Sequence, residues 1–215
     1  MLRGVRRRWR GRREEPLACF TVRVLAVSPY PEEPEDESYT PTLLVESAPD
    51  PGDPALGPGQ VAVGALLFVA WAQRRLGTAE LPLRLRAVLP RLRHAVEVGA
   101  VGPERYAAHR ATQHERYFHQ REAATYAVEL RRDEDGLYVA VTTRVAKGRW
   151  TPEAAVLQAA TMAPYEALLR LAAPEQRALL AWLERAVARW LDGHAPDFPV
   201  ADWDPAAPLA PPGEV

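Results

Sequence analysis

The sequence predicts an α+β fold, in which an antiparallel sheet of about four to five strands packs on one face against helices that include a C-terminal helical pair. Three observations carry this prediction. Two alternating stretches flank a turn at 133–136, residues 174–191 carry an amphipathic stripe, and residues 61–72 form an uncharged apolar run. The first pattern is typical of a β-hairpin, and the other two are typical of helices that bury a face.

Length and composition predict one domain with two appendages. The chain has 215 residues, of which 47% are hydrophobic and 26% charged, close to average globular usage. We expect a basic arginine-rich arm at 1–15, a single α+β domain at 16–193 and a proline-rich C-terminal tail at 194–215. The arm offers almost nothing apolar to bury, and the tail contains too much proline to continue a regular element.

The first two strands are predicted at 17–28 and 41–47. In the first, Phe20, Val22 and Val24 fall on one face and the residues between them on the other, which is the period of a half-buried strand. Segments rich in proline and acidic residues follow each strand, and such segments form solvated loops.

An apolar helix is predicted at 59–76, with Gly77 as its stop. After it, residues 81–89 alternate leucine and arginine, which favours a strand. Pro82 and Pro90 restrict that strand to an edge of the sheet or to a loop, because proline cannot donate a ladder hydrogen bond.

A polar helix is predicted at 103–123, where Pro103 occupies the first helical position. A hairpin of strands 125–132 and 137–146 follows, with a two-residue turn centred on Asp135 and Gly136. The register that this turn implies pairs Leu130 with Val141 and Val128 with Thr143.

The first C-terminal helix is predicted to begin at Thr151, which supplies an N-cap, followed by Pro152 at the first position and Glu153 in the first turn. Pro164 is expected to kink or end it. The second spans 174–191 and stops at Gly193.

The second C-terminal helix has the clearest buried stripe in the sequence. Its members lie at i, i+3, i+4, i+7, i+8, i+11 and i+12 and are Leu179, Trp182, Leu183, Ala186, Val187, Trp190 and Leu191. Burial of Trp182 in the core predicts that Trp182→Ala lowers the free energy of unfolding by about 3–5 kcal/mol.

Two basic segments suggest contact with nucleic acid or another polyanion, although the net charge of the whole chain is only -1. The arm has seven arginines with Trp9 among them, and the 103–123 helix repeats Glu-Arg-Tyr at an offset of eleven residues, or three helical turns. The residues predicted to contact a polyanion are Arg6, Arg7, Arg8, Trp9, Arg10, Arg105, Tyr106, Arg110, Arg116, Tyr117 and Arg121.

Each basic segment also has a plainer interpretation. The arm could pair with the five acidic residues at 32–37 or remain a solvated leader. The helix could turn Tyr106 and Tyr117 to the core, with its arginines paired to glutamates in solvent.

A catalytic or metal site has little support in the sequence. His114 and His119 are one residue too far apart for an H-E-x-x-H motif and lie about 140° apart on a helix, so we expect no metal and no cofactor. Glu115 and His119, at i and i+4, could form an acid/base pair for a hydrolase. Motifs for phosphate-binding loops, dinucleotide binding and nucleophile elbows are missing.

The tail contains Phe198 and Trp203 among acidic residues, a pattern that can dock into a partner's groove or cover an apolar patch of its own domain. Three functional hypotheses follow: a non-catalytic polyanion-binding protein, an accessory protein that works through protein contacts of its C-terminal helices or tail, including self-association, and an enzyme that uses Glu115 and His119. A non-catalytic function is favoured.

The sequence also predicts a cytoplasmic protein without membrane contact. Cys19 is the only cysteine, so no intrachain disulfide can form, and a reducing compartment is the simplest interpretation. The apolar run at 61–72 is twelve residues long, whereas a membrane-spanning helix needs about 20. Charged residues interrupt the apolar stretch after the arm, so no signal peptide is expected.

Overall fold

The computed structural model describes residues 16–28, 42–49, 57–116, 119–146, 151–196, 204 and 207–213. Nine elements follow one another within these ranges: β1 Ala18–Ser28, β2 Thr42–Pro49, α1 Pro58–Leu76, α2 Glu80–Glu97, α3 Pro103–Arg116, β3 His119–Asp133, β4 Gly136–Val145, α4 Pro152–Leu168 and α5 Ala173–Leu191. The predicted α+β class, with its C-terminal pair of helices, is therefore confirmed.

The four strands form one antiparallel sheet in the order β2-β1-β3-β4. The central strand β1 pairs with β2 through Val24 and Val45, and with β3 through Val22 and Tyr126. A shift in register after Val24 bulges the β1–β3 ladder, and such a bulge bends the strand. All four predicted strands are found within a few residues of their expected positions, except that β3 starts earlier.

One face of the sheet is covered by helices. Val22 and Val24 of β1 and Tyr126, Val128 and Leu130 of β3 are buried, whereas the residues between them are only partly covered. Successive strand residues point to opposite faces, so this alternation identifies the core face. Helices α1 and α4 contact the strands on this side.

The helices form two layers. Helices α1 and α4 pack against each other and the sheet, while α2 and α5 pair and lie mainly on α1 and α4. Phe68 and Val69 of α1 are both fully buried, as expected for a helix with neighbours on both sides. The sequence predicted that both C-terminal helices cover the sheet. Helix α4 does so, whereas α5 lies mainly in the outer layer. Among the described helices, none is long and apolar enough to cross a bilayer.

The prediction of an edge strand or loop at 81–89 is wrong, because these residues belong to helix α2. Pro82 lies in the first turn, where the backbone N–H has no partner within the helix, so the proline loses nothing there. Pro90 lies inside the helix and removes one backbone donor. Four leucines of this helix are buried and lie three or four residues apart, which is the spacing of one helical face: Leu81, Leu85, Leu89 and Leu92. This helical spacing, and not the alternation of leucine with arginine, determines the structure of the segment.

The predicted helix at 103–123 is too long, because α3 ends at Arg116 and β3 begins at His119. Residues 119–121 satisfy their backbone groups in the sheet, where their partners on β1 are Ser28, Val27 and Ala26. Glu115 and His119 are therefore not at i and i+4 of one helix, and Arg110 and Arg121 do not share a helical face.

The hairpin is confirmed, but its predicted register is wrong. Asp133 pairs with Gly136, so the two turn residues are Glu134 and Asp135, and the Asp133 side chain accepts a hydrogen bond from the Asp135 N–H at 2.9 Å. The observed pairs are Leu130 with Val139 and Val128 with Val141. Each observed partner on β4 lies two residues before the predicted one. A shift of two residues leaves the same side chains of β4 facing the core.

The helix ends agree with the sequence in most respects. Thr151 accepts a hydrogen bond from the Ala154 N–H at 3.1 Å, which confirms the N-cap of α4. Gly77, with φ of 62°, ends α1 in the left-handed conformation, and Gly193 follows α5 with φ of 85°. Helix α4 continues through Pro164 to Leu168, so the proline does not end it.

Candidate interaction surface

The residues predicted to bind a polyanion fall on different elements. Arg105, Tyr106, Arg110 and Arg116 belong to α3, whereas Arg121 lies exposed on β3. Arg121 therefore does not continue the face of helix α3 on which the sequence placed it. The side chains of Arg110 and Arg116 lie outside the described part of the chain, and so do Arg6, Arg7, Arg8, Trp9, Arg10, Tyr117, Phe198 and Trp203.

Tyr106 faces the end of α4. Its hydroxyl accepts a hydrogen bond from Nη2 of Arg170 at 2.9 Å, and the guanidinium carbon of Arg170 lies 5.1 Å from the centre of the tyrosine ring. The ring therefore receives both a hydrogen bond and a cation–π contact from the same arginine. This arrangement matches the plainer interpretation of Tyr106, in which it points inward, while the neighbouring Arg105 is exposed.

A second polar group joins α3 to α4 one turn farther along. The Tyr165 hydroxyl lies 3.4 Å from Nδ1 of His109, and the two rings meet edge to face with their centres 5.4 Å apart. On the other side of the imidazole, Nε2 lies 3.9 Å from Oε1 of Glu166, whose side chain is 5% exposed. The imidazole thus lies between a hydroxyl at the limit of hydrogen-bond distance and a buried carboxylate within ion-pair range.

The chemistry of this His109, Tyr165 and Glu166 group favours a structural role. Burial, and then the nearby charge of Glu166, raise the pKa of Tyr165, so its hydroxyl keeps its proton at neutral pH and is a poor nucleophile. The group connects the middle of α3 to the C-terminal turn of α4, and with Tyr106 and Arg170 it sets the position of α3 on the domain.

The sequence contains one signal for this group, which is separate from any catalytic motif. Glu166 is the only charged residue between Ala154 and Leu168, in a stretch that is mostly apolar. A lone carboxylate in an apolar helix requires a partner, because an unpaired buried charge is very unfavourable. The identity of that partner depends on tertiary structure, since His109 is 57 positions away in the sequence.

Metal binding has no support in the described part of the chain. No group of three or more histidine, cysteine, aspartate or glutamate side chains there is close enough to hold an ion.

The tail occupies one flank of α5. Nε1 of Trp182 donates a hydrogen bond to the carbonyl oxygen of Ala210 at 3.0 Å, and Nη2 of Arg185 donates one to that of Gly213 at 2.7 Å. Between these contacts and the core, Leu209 is buried with 5% exposure. Trp182 is therefore only partly buried: it packs against the edge of the core, as its place in the stripe suggested, and its indole N–H faces the tail. We call Trp182 and Arg185 the tail-binding strip.

Two grooves lie on another side of α5, where it meets α2. One has a volume of about 320 Å³ and an apolar lining that includes Leu89, Pro90 and Leu191. The other has a volume of about 370 Å³ and includes Val96 and Leu180. Both are bordered by the ion pair between Arg93 and Glu184, which bridges the two helices. The grooves and this ion pair together are the α2–α5 face.

Comparison with known proteins assigns no family to this arrangement. The chain matches no protein family, and no curated protein and no solved structure shows significant similarity to it.

Proposed function

We propose that this chain is an accessory protein that works through protein contacts, and that its tail-binding strip recognises proline-rich segments. The observation that carries the proposal is the hydrogen bond from the Trp182 indole to the Ala210 carbonyl of the chain's own tail. A side chain that binds such a segment in its own tail has the chemistry to bind one in a partner.

The bound segment has the properties of a proline-rich ligand. Residues 207–213 read Ala-Pro-Leu-Ala-Pro-Pro-Gly and adopt neither helix nor strand. Prolines pre-order such a segment, so little entropy is lost on binding, and its carbonyl oxygens remain available as acceptors. The strip supplies two side-chain donors for those acceptors, and Leu209 inserts as an apolar anchor.

The proposal is tested with a twelve-residue peptide of residues 204–215 and a full-length chain that carries Leu209→Asp. A charge at the buried anchor position should release the tail and leave the strip free. Isothermal titration calorimetry should then show saturable one-to-one binding of the wild-type peptide. A peptide that carries the same Leu→Asp change is the matched control and should not bind.

Substitution in the strip makes the test specific. Adding Trp182→Phe to the released chain keeps an aromatic ring but removes the indole donor, so peptide affinity should fall by up to about tenfold, the worth of one hydrogen bond. No heat of binding to the released chain, or equal affinity with and without the indole donor, would show that the strip is only an internal packing contact.

Polyanion binding is a second proposal, which the exposure of Arg105 at the start of α3 supports. It depends otherwise on the composition of the 1–15 arm. The described arginines of the sheet offer less support, because Arg131 pairs with Glu129 at 2.7 Å and Arg144 lies 3.5 Å from Glu122.

A further inference from the structure

The α2–α5 face is one continuous surface on the outer helical layer. Its two grooves meet at the Arg93–Glu184 ion pair, because both residues line both grooves. It is separate from the bound tail, since none of the described tail residues at 207–213 lines either groove and Trp182 lies about 160° around α5 from Glu184. The tail therefore leaves this face available.

The composition of the face resembles an interface more than a solvated surface. Its lining is largely apolar in both grooves, with Leu89, Leu191, Val96 and Leu180 among the residues that form it. Just after helix α2, Val98 is also exposed, at 58%. An apolar centre with a polar rim is the arrangement found in protein–protein interfaces.

The charges on the face decide which partner fits. Arg86, Arg93 and Arg177 line the grooves together with Glu97 and Glu184, so both signs are interspersed on one surface. A polyanion or a uniformly acidic peptide would meet repulsion from the glutamates. A two-fold axis that passes between Arg93 and Glu184, by contrast, places the arginine of each copy against the glutamate of the other, because every contact of an isologous interface occurs twice.

The available area is also sufficient for a second copy. A helix of 18 residues such as α2 is about 27 Å long, and two adjacent helices are about 20 Å wide, which gives about 540 Å² per copy. Two copies would bury about 1,100 Å², just above the area of about 1,000 Å² at which specific interfaces begin.

We propose that the α2–α5 face binds the same face of a second copy, so that two helix pairs form a symmetric dimer. The floor of the grooves supplies the apolar contact. Arg93 and Glu184 exchange their internal ion pair for pairs across the two-fold axis, and this exchange makes the interface selective for an identical chain.

The experiment uses the full-length chain in sedimentation equilibrium at concentrations up to about 200 μM, the range for an interface of this small class. The wild-type chain should show a monomer–dimer equilibrium. Ala188→Glu, a change at an exposed alanine that lines one groove, should raise the dimer dissociation constant at least tenfold without changing the melting temperature. Arg84→Glu is the matched control, because Arg84 pairs with Glu80 on α2 outside both grooves.

Mixing of charge variants identifies the contact. Arg93→Glu alone and Glu184→Arg alone should each be monomeric, because each places like charges across the axis. A one-to-one mixture of the two variants should recover the dimer, because one copy then presents two carboxylates and the other two guanidiniums. A monomeric wild type, a dimer that Ala188→Glu leaves intact, or a mixture that remains monomeric overturns the proposal. Leu209→Asp should dimerise like the wild type, so this result is independent of tail binding.

Discussion

Gln176 and Tyr126 are both buried polar residues, but the interior satisfies only one of them. The two N–H groups of the Gln176 amide are shared among three carbonyl oxygens, those of Leu171 at 2.9 Å, Leu168 at 3.0 Å and Val101 at 3.3 Å. The amide therefore ties the loop before α3 to the turn between α4 and α5. Within the described part of the chain, the Tyr126 hydroxyl has no hydrogen-bond partner. An unsatisfied buried hydroxyl costs about 1–3 kcal/mol of stability.

Tyr126→Phe should therefore raise the free energy of unfolding by about 1 kcal/mol at pH 7, because it removes the unsatisfied hydroxyl and keeps the ring contacts with Phe68 and Trp71. Urea unfolding measures the change. Tyr138→Phe, on an exposed tyrosine, should stay within about 0.5 kcal/mol of the wild type. A clear loss of stability in Tyr126→Phe would mean that the hydroxyl is bound in the folded chain.

The same residue predicts how stability depends on alkaline pH. Burial raises the pKa of Tyr126, and the positive charge of Arg75 offsets this only in part. The unfolded chain then loses the tyrosine proton near pH 10 while the folded chain keeps it, so stability present below pH 10 is lost as pH rises further. In Tyr126→Phe, this part of the decline should be missing.

At the scale of elements, the N-cap of α4 offers a local test. Thr151→Ala should lower the free energy of unfolding by about 1 kcal/mol, because the Ala154 N–H loses its side-chain acceptor. Thr112→Ala is the control, since Thr112 is exposed within α3 and donates to the carbonyl of Ala108 one turn earlier, so it caps no helix. Equal effects of the two changes on chemical denaturation would contradict a specific role for the cap.

Elements were predictable where one period dominated the sequence. Val22 and Val24 of β1 follow the period of two, and the cap at Thr151 and the stop at Gly77 are local signals, so these positions were predicted closely. At 81–89 the leucines fit both periods, and their alternation with arginine turned the prediction toward a strand, which the prolines limited to a sheet edge or a loop. The end of α3 depends on the pairing of residues 119–121 with β1, which is far away in the sequence and leaves no local signal.

The candidate surfaces were predictable only in part. The stripe of α5 identified the correct helix, but it did not predict that the Trp182 indole N–H faces the tail, because periodicity does not reveal that Leu209 and its neighbours cover the flank. The contact of His109 with Glu166 likewise depends on how α3 crosses α4. The spacing of residues within one helix or strand predicts which of its faces is buried. It does not predict which residues of different elements contact each other, because those contacts depend on the tertiary arrangement.

At the scale of the whole molecule, the arm can be tested by deletion. Removal of residues 1–15 takes away seven arginines. Affinity for a single-stranded oligonucleotide falls with salt, and each phosphate that an arginine neutralises contributes about 0.7 to the steepness of log affinity against log salt. The deletion should therefore make this slope shallower by about 5. Arg105→Gln in the full chain should decrease it by about 0.7. Fluorescence anisotropy across a salt series measures both. A full-length chain that does not bind at low salt would end the polyanion hypothesis.

The pairing of β1 with β3 has a consequence during synthesis on the ribosome. Residues 29–118, which number 90, are translated between the two strands. At about 5–20 residues per second, β1 is translated about 5–18 s before the first residue of β3. A two-stranded ribbon is marginally stable in water, so the nascent sheet has an open edge throughout this interval. Completion of the fold therefore waits for translation of the second half of the chain, and a ribosome that stalls before residue 119 would hold a chain with an unpaired edge strand.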